Sequence, residues 1–215
     1  MTKFIVIANR KGGAGKSTCA AHLSMEAVKS GNSVILIDLD PQKTLEGWWE
    51  KRKEENPYMA EATINNLNEK IKTIREKEFD YCFIDTPGDT SLNTTEAIKV
   101  ADIVVIPCKP TSPDLKAIGR TISMVQEDNK NFVFLLSQTI ANSKAATQAA
   151  MVLSEFGTLI TSSVSNRISY VNAMAIGDSA TNLDSKATEE LESIWKFLEQ
   201  KLNSNKVQKN DKEKI

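Results

Sequence analysis

The sequence predicts one α/β domain, a single doubly wound domain with a mostly parallel sheet flanked by helices. Three observations carry this. Continuous apolar runs of strand length alternate with helix-compatible stretches along the 215 residues, and such runs suit parallel strands covered on both faces. A glycine-rich segment, Lys11 to Ser17, lies between the first apolar run and the first helical one. Two further runs end in aspartate, at Asp38 and Asp85, where open parallel sheets bind ligands.

Composition narrows the classes. Hydrophobic residues at 40% and charged residues at 26% are ordinary globular values, which argues against global disorder. A formal net charge of −1 means that any nucleic-acid surface has to be a local patch. No apolar run approaches the roughly 20 residues of a membrane span. The first strand follows Met1 so closely that no signal peptide is expected. Cys19, Cys82 and Cys108 are widely spaced and read as reduced thiols. With no C-x-x-C spacing and one histidine, His22, they are not expected to bind metal. His22 is expected to be a partly exposed surface residue of the first helix.

Taken in order, the elements are as follows. Lys3 to Ala8 is the first strand and Ser17 to Ser30 the first helix, with Gly31 as its C-cap glycine. Ser33 to Asp38 is a strand, stopped by Pro41. Thr44 to Glu55 reads as a helix packed through Trp48 and Trp49. Pro57 breaks it, and a short strand is possible near Ala60 to Ile64. Asn65 or Asn68 caps a helix running to Lys77, with Leu67, Ile71 and Ile74 on one stripe. Phe79 to Asp85, Ala101 to Pro107 and Asn131 to Ser137 are strands; Asp114 to Asp128 and Lys144 to Phe156 are helices. A short strand is expected near Leu159 to Ser163. The last helix, Ser185 to Leu202, carries Ala187, Leu191, Ile194, Trp195 and Leu198 on one face. The domain therefore covers 1–203, and 204–215 reads as a disordered polar tail.

The chemistry concentrates in the glycine-rich segment. Strand, glycine turn and helix form the context of a phosphate-binding loop. Gly12, Gly13 and Gly15 let the backbone turn successive N–H groups toward an anion. The following helix adds its positive end. Lys16 can reach the β/γ-phosphates, and the Ser17 hydroxyl can ligate Mg²⁺. The common G-x-x-x-x-G-K-[ST] pattern needs glycine at position 10, where this chain has Arg10, and an extra lysine, Lys11, precedes the glycines.

This variant loop resembles that of the deviant-Walker P-loop NTPase group, which includes ParA, MinD and the nitrogenase iron protein. Asp38-Leu39-Asp40-Pro41-Gln42 and Asp85-Thr86-Pro87-Gly88 resemble its two further nucleotide motifs, and the resemblance runs through nearly the whole chain. It implies an ATPase with ATP and Mg²⁺ as cofactors, held by Lys11 through Thr18, Ala14 included. It places Asp40 and Asp85 in the outer shell of the metal beside Ser17. Asp40 would position the attacking water, with Asp38 a weaker candidate, and Asp38, Asp40, Asp85 and Gly88 would act as a switch. Lys11 would reach the partner subunit's nucleotide in an ATP-dependent homodimer. The loop from Pro107 onward would lie near the nucleotide, and adenine contacts are implied around Gln138.

The resemblance is strongest to small ParA proteins lacking an N-terminal helix-turn-helix, which implies plasmid or chromosome partition. The partners implied are non-specific double-stranded DNA and a centromere-binding protein, ParB-like or of the ribbon-helix-helix type. Arg167 would contribute to the DNA contact, with Lys144, Lys116 and Arg120 as further cations. The protein would be cytoplasmic and nucleoid-associated. A ParA-like ATPase that positions a protein cargo, such as a chemotaxis cluster or microcompartment, is the alternative. A MinD-like membrane protein would need a basic amphipathic C-terminal helix, whereas the last helix here is acid-rich. A dethiobiotin-synthetase-like ligase would have no use for Lys11.

Overall fold

The computed structural model describes residues 1–88 and 92–212, those from 205 to 212 by their backbone alone. The elements follow in the order β1 (Lys3–Ile7), α1 (Lys16–Lys29), β2 (Val34–Asp38), α2 (Thr44–Trp49), β3 (Tyr58–Met59), α3 (Leu67–Glu76), β4 (Tyr81–Asp85), α4 (Leu92–Val100), β5 (Ile103–Cys108), α5 (Ser112–Glu127), β6 (Phe132–Thr139), α6 (Lys144–Phe156), β7 (Val164–Ser165), α7 (Ile168–Ile176), a 3₁₀ turn (Ala180–Asn182) and α8 (Ser185–Lys212). The strands form one seven-stranded sheet in the order β3-β2-β4-β1-β5-β6-β7, and every described pairing is parallel.

Side chains alternate across a strand, so each central strand feeds two cores. Ile5, Ile7, Leu36, Phe83, Val105 and Leu135 face Leu23, Leu191, Ile194 and Leu198 of α1 and α8. Phe4, Val6, Ile37, Ile84, Val104 and Ile106 face Ile71, Ile98, Ile118, Ile122 and Leu153 of α3 to α6. Trp195 fastens α8: its ring meets Tyr81 edge-on at 4.9 Å, and its Nε1 donates to the Ser30 Oγ at 3.1 Å. Gly31 takes φ +87 just past α1, as a C-cap glycine should. Trp48 is buried and Trp49 packs against the same core.

Several elements differ from the sequence expectation. The second helix stops at Trp49 rather than Glu55, because Arg52 is pulled away. Its guanidinium donates to the Gly177 carbonyl at 3.1 Å and the Asn56 carbonyl at 3.2 Å, and lies over the Trp48 ring. Asn56 then pins the edge strand, accepting from Val34 N and donating to Asn32 O. So β3 falls at Tyr58–Met59, not at 60–64. Asn66, rather than Asn65 or Asn68, sits at the start of α3; its Oδ1 accepts from Thr63 N at 2.7 Å. Leu159 makes only an isolated bridge to Phe134, and the strand proper is Val164–Ser165.

His22 is not at the surface. It is fully buried, and its Nδ1 accepts the Ala180 N–H at 3.3 Å. The helix α1 is covered by α8 on one side and α7 with the 3₁₀ turn on another, so even its polar positions are enclosed. The backbone of α8 continues to Lys212, past residue 203 where the sequence reading ends the domain; its last buried side chain among the described residues is Leu202. Residues 213–215 lie outside the described residues. Among those described, no helix is long and apolar enough to cross a membrane.

Candidate functional site

The glycine-rich loop joins β1 to α1 at the C-terminal edge of the sheet. Gly13 and Gly15 take φ of +72 and +89, a left-handed backbone that other residues adopt at a cost of about 1–2 kcal/mol. Neighbouring strands hold the loop in shape. Ser137, at the end of β6, donates its Oγ to the Ala14 carbonyl at 2.7 Å, and Gln138 donates its Nε2 to the Gly13 carbonyl at 3.0 Å. Asn9 donates its Nδ2 to the Pro107 carbonyl at 2.7 Å and accepts the Lys11 N–H at 2.9 Å. With its carbonyls tied back, the loop turns its N–H groups to the open side.

That open side is a cavity of about 490 Å³ lined by Gly12, Gly13, Gly15, Lys16, Ser17 and Thr18, with Asp40, Pro41, Gln42, Pro87, Gly88 and Gln138 closing it. Lys16 is 6% exposed. Gly88 is seated so closely that a Cβ there would lie 3.0 Å from Gly12 Cα and 3.3 Å from Lys16 Nζ.

The aspartates divide into two roles. Asp38 is almost fully buried, and its two oxygens accept the Asp40 N–H at 2.9 Å and the Glu46 N–H at 3.0 Å. Its carboxylate is committed to shaping the loop, which leaves Asp40 at the cavity wall with its Oδ1 accepting Gln42 N–H at 3.0 Å. Asp85 is fully buried, and neither oxygen makes a hydrogen bond of normal geometry among the described residues, although the Ser17 hydroxyl is near enough to lower its pKa. Burial, reinforced by the charges of Asp38 and Asp40, raises the Asp85 carboxyl to about 7, with Ser17 and Lys16 partly opposing. An orphaned buried carboxylate beside a hydroxyl fits a cation that completes its shell with phosphate oxygens and water, as Mg²⁺ does. No group of three or more His, Cys, Asp or Glu side chains able to hold a metal occurs among the described residues.

A second cavity, of about 350 Å³, continues from the first through Gly15, Thr18, Thr44 and Gln138. Its far wall is Val164 to Arg167 with Tyr170, Val171 and Met174. It is mostly apolar with a few polar groups converging on it, the character of a site for a flat heterocycle. The sequence reading reached Gln138 here but missed this wall. The usable signal was its position, directly after a strand on the ligand-binding edge of the sheet, with Tyr170, Val171 and Met174 on adjacent turns of one helix.

Other expected residues lie elsewhere. Pro107 is buried within β5 and lines neither cavity; it acts through its carbonyl on Asn9. Lys11 is exposed and lines a separate groove with Arg10, Pro113, Lys116, Ala117 and Arg120. Arg167 does not present an open guanidinium: its Nε and Nη2 donate to Glu190 Oε1 at 3.0 and 2.7 Å, and Nη1 lies 3.8 Å from Asp184. Lys144 is exposed at the start of α6, apart from the groove.

Known proteins resemble this arrangement. The sequence pattern of the CobQ/CobB/MinD/ParA nucleotide binding domain matches residues 5–190. Protein ParA of Rhizobium radiobacter is 30% identical over 130 residues, covering 59% of this chain and 57% of that protein. The maintenance of carboxysome distribution protein A of Halothiobacillus neapolitanus is 25% identical over 203 residues, covering 90% of this chain and 94% of its own length. In three dimensions the chain superposes on an ATP complex of a Cyanothece McdA variant with a TM-score of 0.79 at 20% identity, over 94% of this chain and 96% of that one. The cell division ATPase MinD of Pyrococcus furiosus gives 0.78 at 18% identity, over 93% and 99%.

Proposed function

The chain belongs to the CobQ/CobB/MinD/ParA nucleotide-binding family, and from that premise we propose that it is a Mg²⁺-dependent ATPase whose ATP-bound form dimerises, binds DNA without sequence preference and moves a cargo with a partner protein. The observation that carries this reading is the continuous cavity: a phosphate side built on the loop and a mostly apolar side the size of a base, meeting at Gly15, Thr18 and Gln138.

Within it each residue has a part. The loop N–H groups and Lys16 hold the phosphates. Ser17 and Asp85 would hold Mg²⁺, which neutralises charge on the phosphate oxygens when bound. Asp40, which gives the loop one carboxylate oxygen where Asp38 gives both, orients the attacking water. Phosphoryl transfer asks chiefly for such positioning and neutralisation. Lys11 lies outside its own phosphate cavity, which supports a role across a dimer interface toward a second copy's nucleotide. Gly88, packed on Gly12 and Lys16, is placed to register the γ-phosphate.

The DNA contact moves from the residue favoured by resemblance. Arg167 is held by Glu190, whereas Lys116 and Arg120 are exposed beside Lys11 in one cationic groove. Two-fold symmetry would double that groove only in the ATP-bound dimer. The cargo reading is partition of a plasmid or chromosome with a centromere-binding protein. Positioning of a protein assembly is a second reading, favoured by the Halothiobacillus carboxysome-distribution relative, whose match spans 94% of its length. In either case the protein would work in the cytoplasm on the nucleoid.

The test is an anisotropy titration of a labelled duplex with ATP, ADP or no nucleotide, at two salt concentrations. Binding should require ATP and weaken steeply with salt, because phosphate contacts release counterions. The Lys116→Ala, Arg120→Ala double variant should lose about tenfold or more, and Arg167→Ala much less. Equal binding with ATP, ADP and no nucleotide refutes the switch; an intact double variant moves the DNA surface elsewhere.

A further inference from the structure

The wall of the base-sized cavity is organised by a residue that does not line it. Glu190, on α8, accepts five hydrogen bonds. Its Oε1 takes the Ser165 Oγ at 2.7 Å and the Arg167 Nε and Nη2 at 3.0 and 2.7 Å. Its Oε2 takes the Ser165 backbone N–H at 3.2 Å and the Tyr170 hydroxyl at 3.0 Å. Ser165, Arg167 and Tyr170 all line the cavity, and Glu190 does not. An ionised carboxylate offers about four lone-pair sites, so Glu190 is saturated by this one segment.

The segment is otherwise tied by its pairing with β6 and by the burial of Val164, Tyr170 and Ala173 in the core, which leave the polar side chains of Ser165 and Arg167 to Glu190. The strand β7 is two residues long, and α7 starts at Ile168 without a side-chain cap. Asp184 takes the Ser169 hydroxyl at 3.1 Å but lies 3.8 Å from the Arg167 Nη1, well beyond the 2.7 Å at which Glu190 holds that guanidinium. The helix α8 is by contrast anchored deep in one core through Leu191, Ile194 and Trp195, so it is a rigid base from which to hold a short loop.

We propose that Glu190 is a positioning residue for the nucleoside half of the site: it fixes Ser165, Arg167 and Tyr170 as the wall against which a purine base is held, without touching the ligand. The proposal rests on the nucleotide reading above and adds which residue sets base affinity. Strand β6 serves both halves, bracing the phosphate loop through Ser137 and Gln138 and pairing with β7, whereas the hydrogen bonds of Glu190 go to the wall segment alone. Loosening Glu190 should therefore leave the phosphate loop intact.

The experiment compares ATP with inorganic tripolyphosphate, which carries the phosphates and no base, by calorimetric titration on wild type, Glu190→Gln and Tyr170→Phe. In Glu190→Gln, ATP affinity should fall on the order of tenfold, about what one lost charged hydrogen bond costs, while tripolyphosphate affinity is unchanged. In steady-state turnover the loss should fall on KM rather than kcat. Tyr170→Phe, which removes a single hydroxyl, should shift ATP affinity in the same direction by roughly two- to threefold. Equal weakening of both ligands would mean Glu190 only holds the fold together, and ATP affinity unchanged in both variants would mean the wall stands without it; either overturns the proposal. Wild type that binds neither ligand overturns the nucleotide reading itself.

Discussion

Replacing His22 by asparagine should remove a pH dependence from the stability of the whole domain. His22 lies on α1, fully buried, its Nδ1 accepting Ala180 N–H and its ring edge-on to Tyr170 at 5.1 Å. Its Nε2 has no hydrogen bond among the described residues. Burial lowers its pKa from 6.5 to about 4, with the Asp178 charge and the Tyr170 backbone partly opposing. Between those values the unfolded chain binds the proton and the folded one does not, so stability rises with pH. The contribution is complete above pH 6.5 and is lost as pH falls toward 4. Linkage over that interval puts the loss at about 2 kcal/mol between pH 7.5 and 5.0, or roughly 4–8 °C in Tm for a domain of this size. Glu26 sits close by with a raised pKa, again chiefly through burial. It contributes a slope of opposite sign, present in both proteins, so it cancels in the comparison. Urea titrations of wild type and His22→Asn at the two pH values measure the effect: asparagine keeps an acceptor near Nδ1 but does not titrate. A stability difference between the two proteins that is the same at pH 7.5 and 5.0 would show that His22 is not held neutral, and the reasoning from its burial would fail.

Two other substitutions probe the site. Gly88→Ala puts a Cβ 3.0 Å from Gly12 Cα and 3.2 Å from Gly12 N; an overpacking cost of about 1–3 kcal/mol should appear as a roughly 10- to 100-fold loss of ATP affinity by calorimetry, and unchanged affinity would mean the 88 segment does not seat on the loop. Asp38→Ala removes the acceptor of the Asp40 and Glu46 N–H groups and should destabilise the fold by about 3 kcal/mol in urea, whereas Asp40→Ala should leave stability nearly unchanged and abolish turnover; the reverse pattern would exchange the roles assigned to the two.

What could be read in the sequence, and what could not, follows from how far each feature depends on distant partners. The central strands announced themselves, because a strand buried on both faces, such as Phe4 to Ile7 or Val34 to Ile37, has to be apolar throughout. The phosphate loop was legible because its chemistry is local: glycines at the turn, then Lys16 and Ser17. Strands β3 and β7 were misplaced because each is two residues long and exists through pairing, not composition. The second helix ended early because Arg52 found the Gly177 carbonyl, 125 positions away. The burial of His22 and the partner of Arg167 were illegible for a related reason. A histidine's burial and an arginine's partner depend on what packs over them, here Ala180 and Glu190 from far along the chain. Resemblance ranks Asp40 above Asp38 for the attacking water, but what Asp38 does instead, accepting the Asp40 and Glu46 N–H groups, is visible only in the geometry.

The sheet order also sets a timetable for making this protein. β1, made before the other strands, lies at the middle of the sheet, and its register pairs Lys3 with Tyr81, 78 positions later, and Ile5 with Ile103 on the other side. At a synthesis rate of about 5–20 residues per second, roughly 4–16 seconds pass before β4 emerges, and longer before β5. For that interval Phe4-Ile5-Val6-Ile7 is an apolar segment with both edges unpaired, the kind that templates aggregation. The phosphate loop hangs from its end, and the hydrogen bonds that brace Ala14 and Gly13 can form only once Ser137 and Gln138 have been made. A nucleotide site braced in this way is completed late in synthesis, after β1 has waited for both of its neighbours.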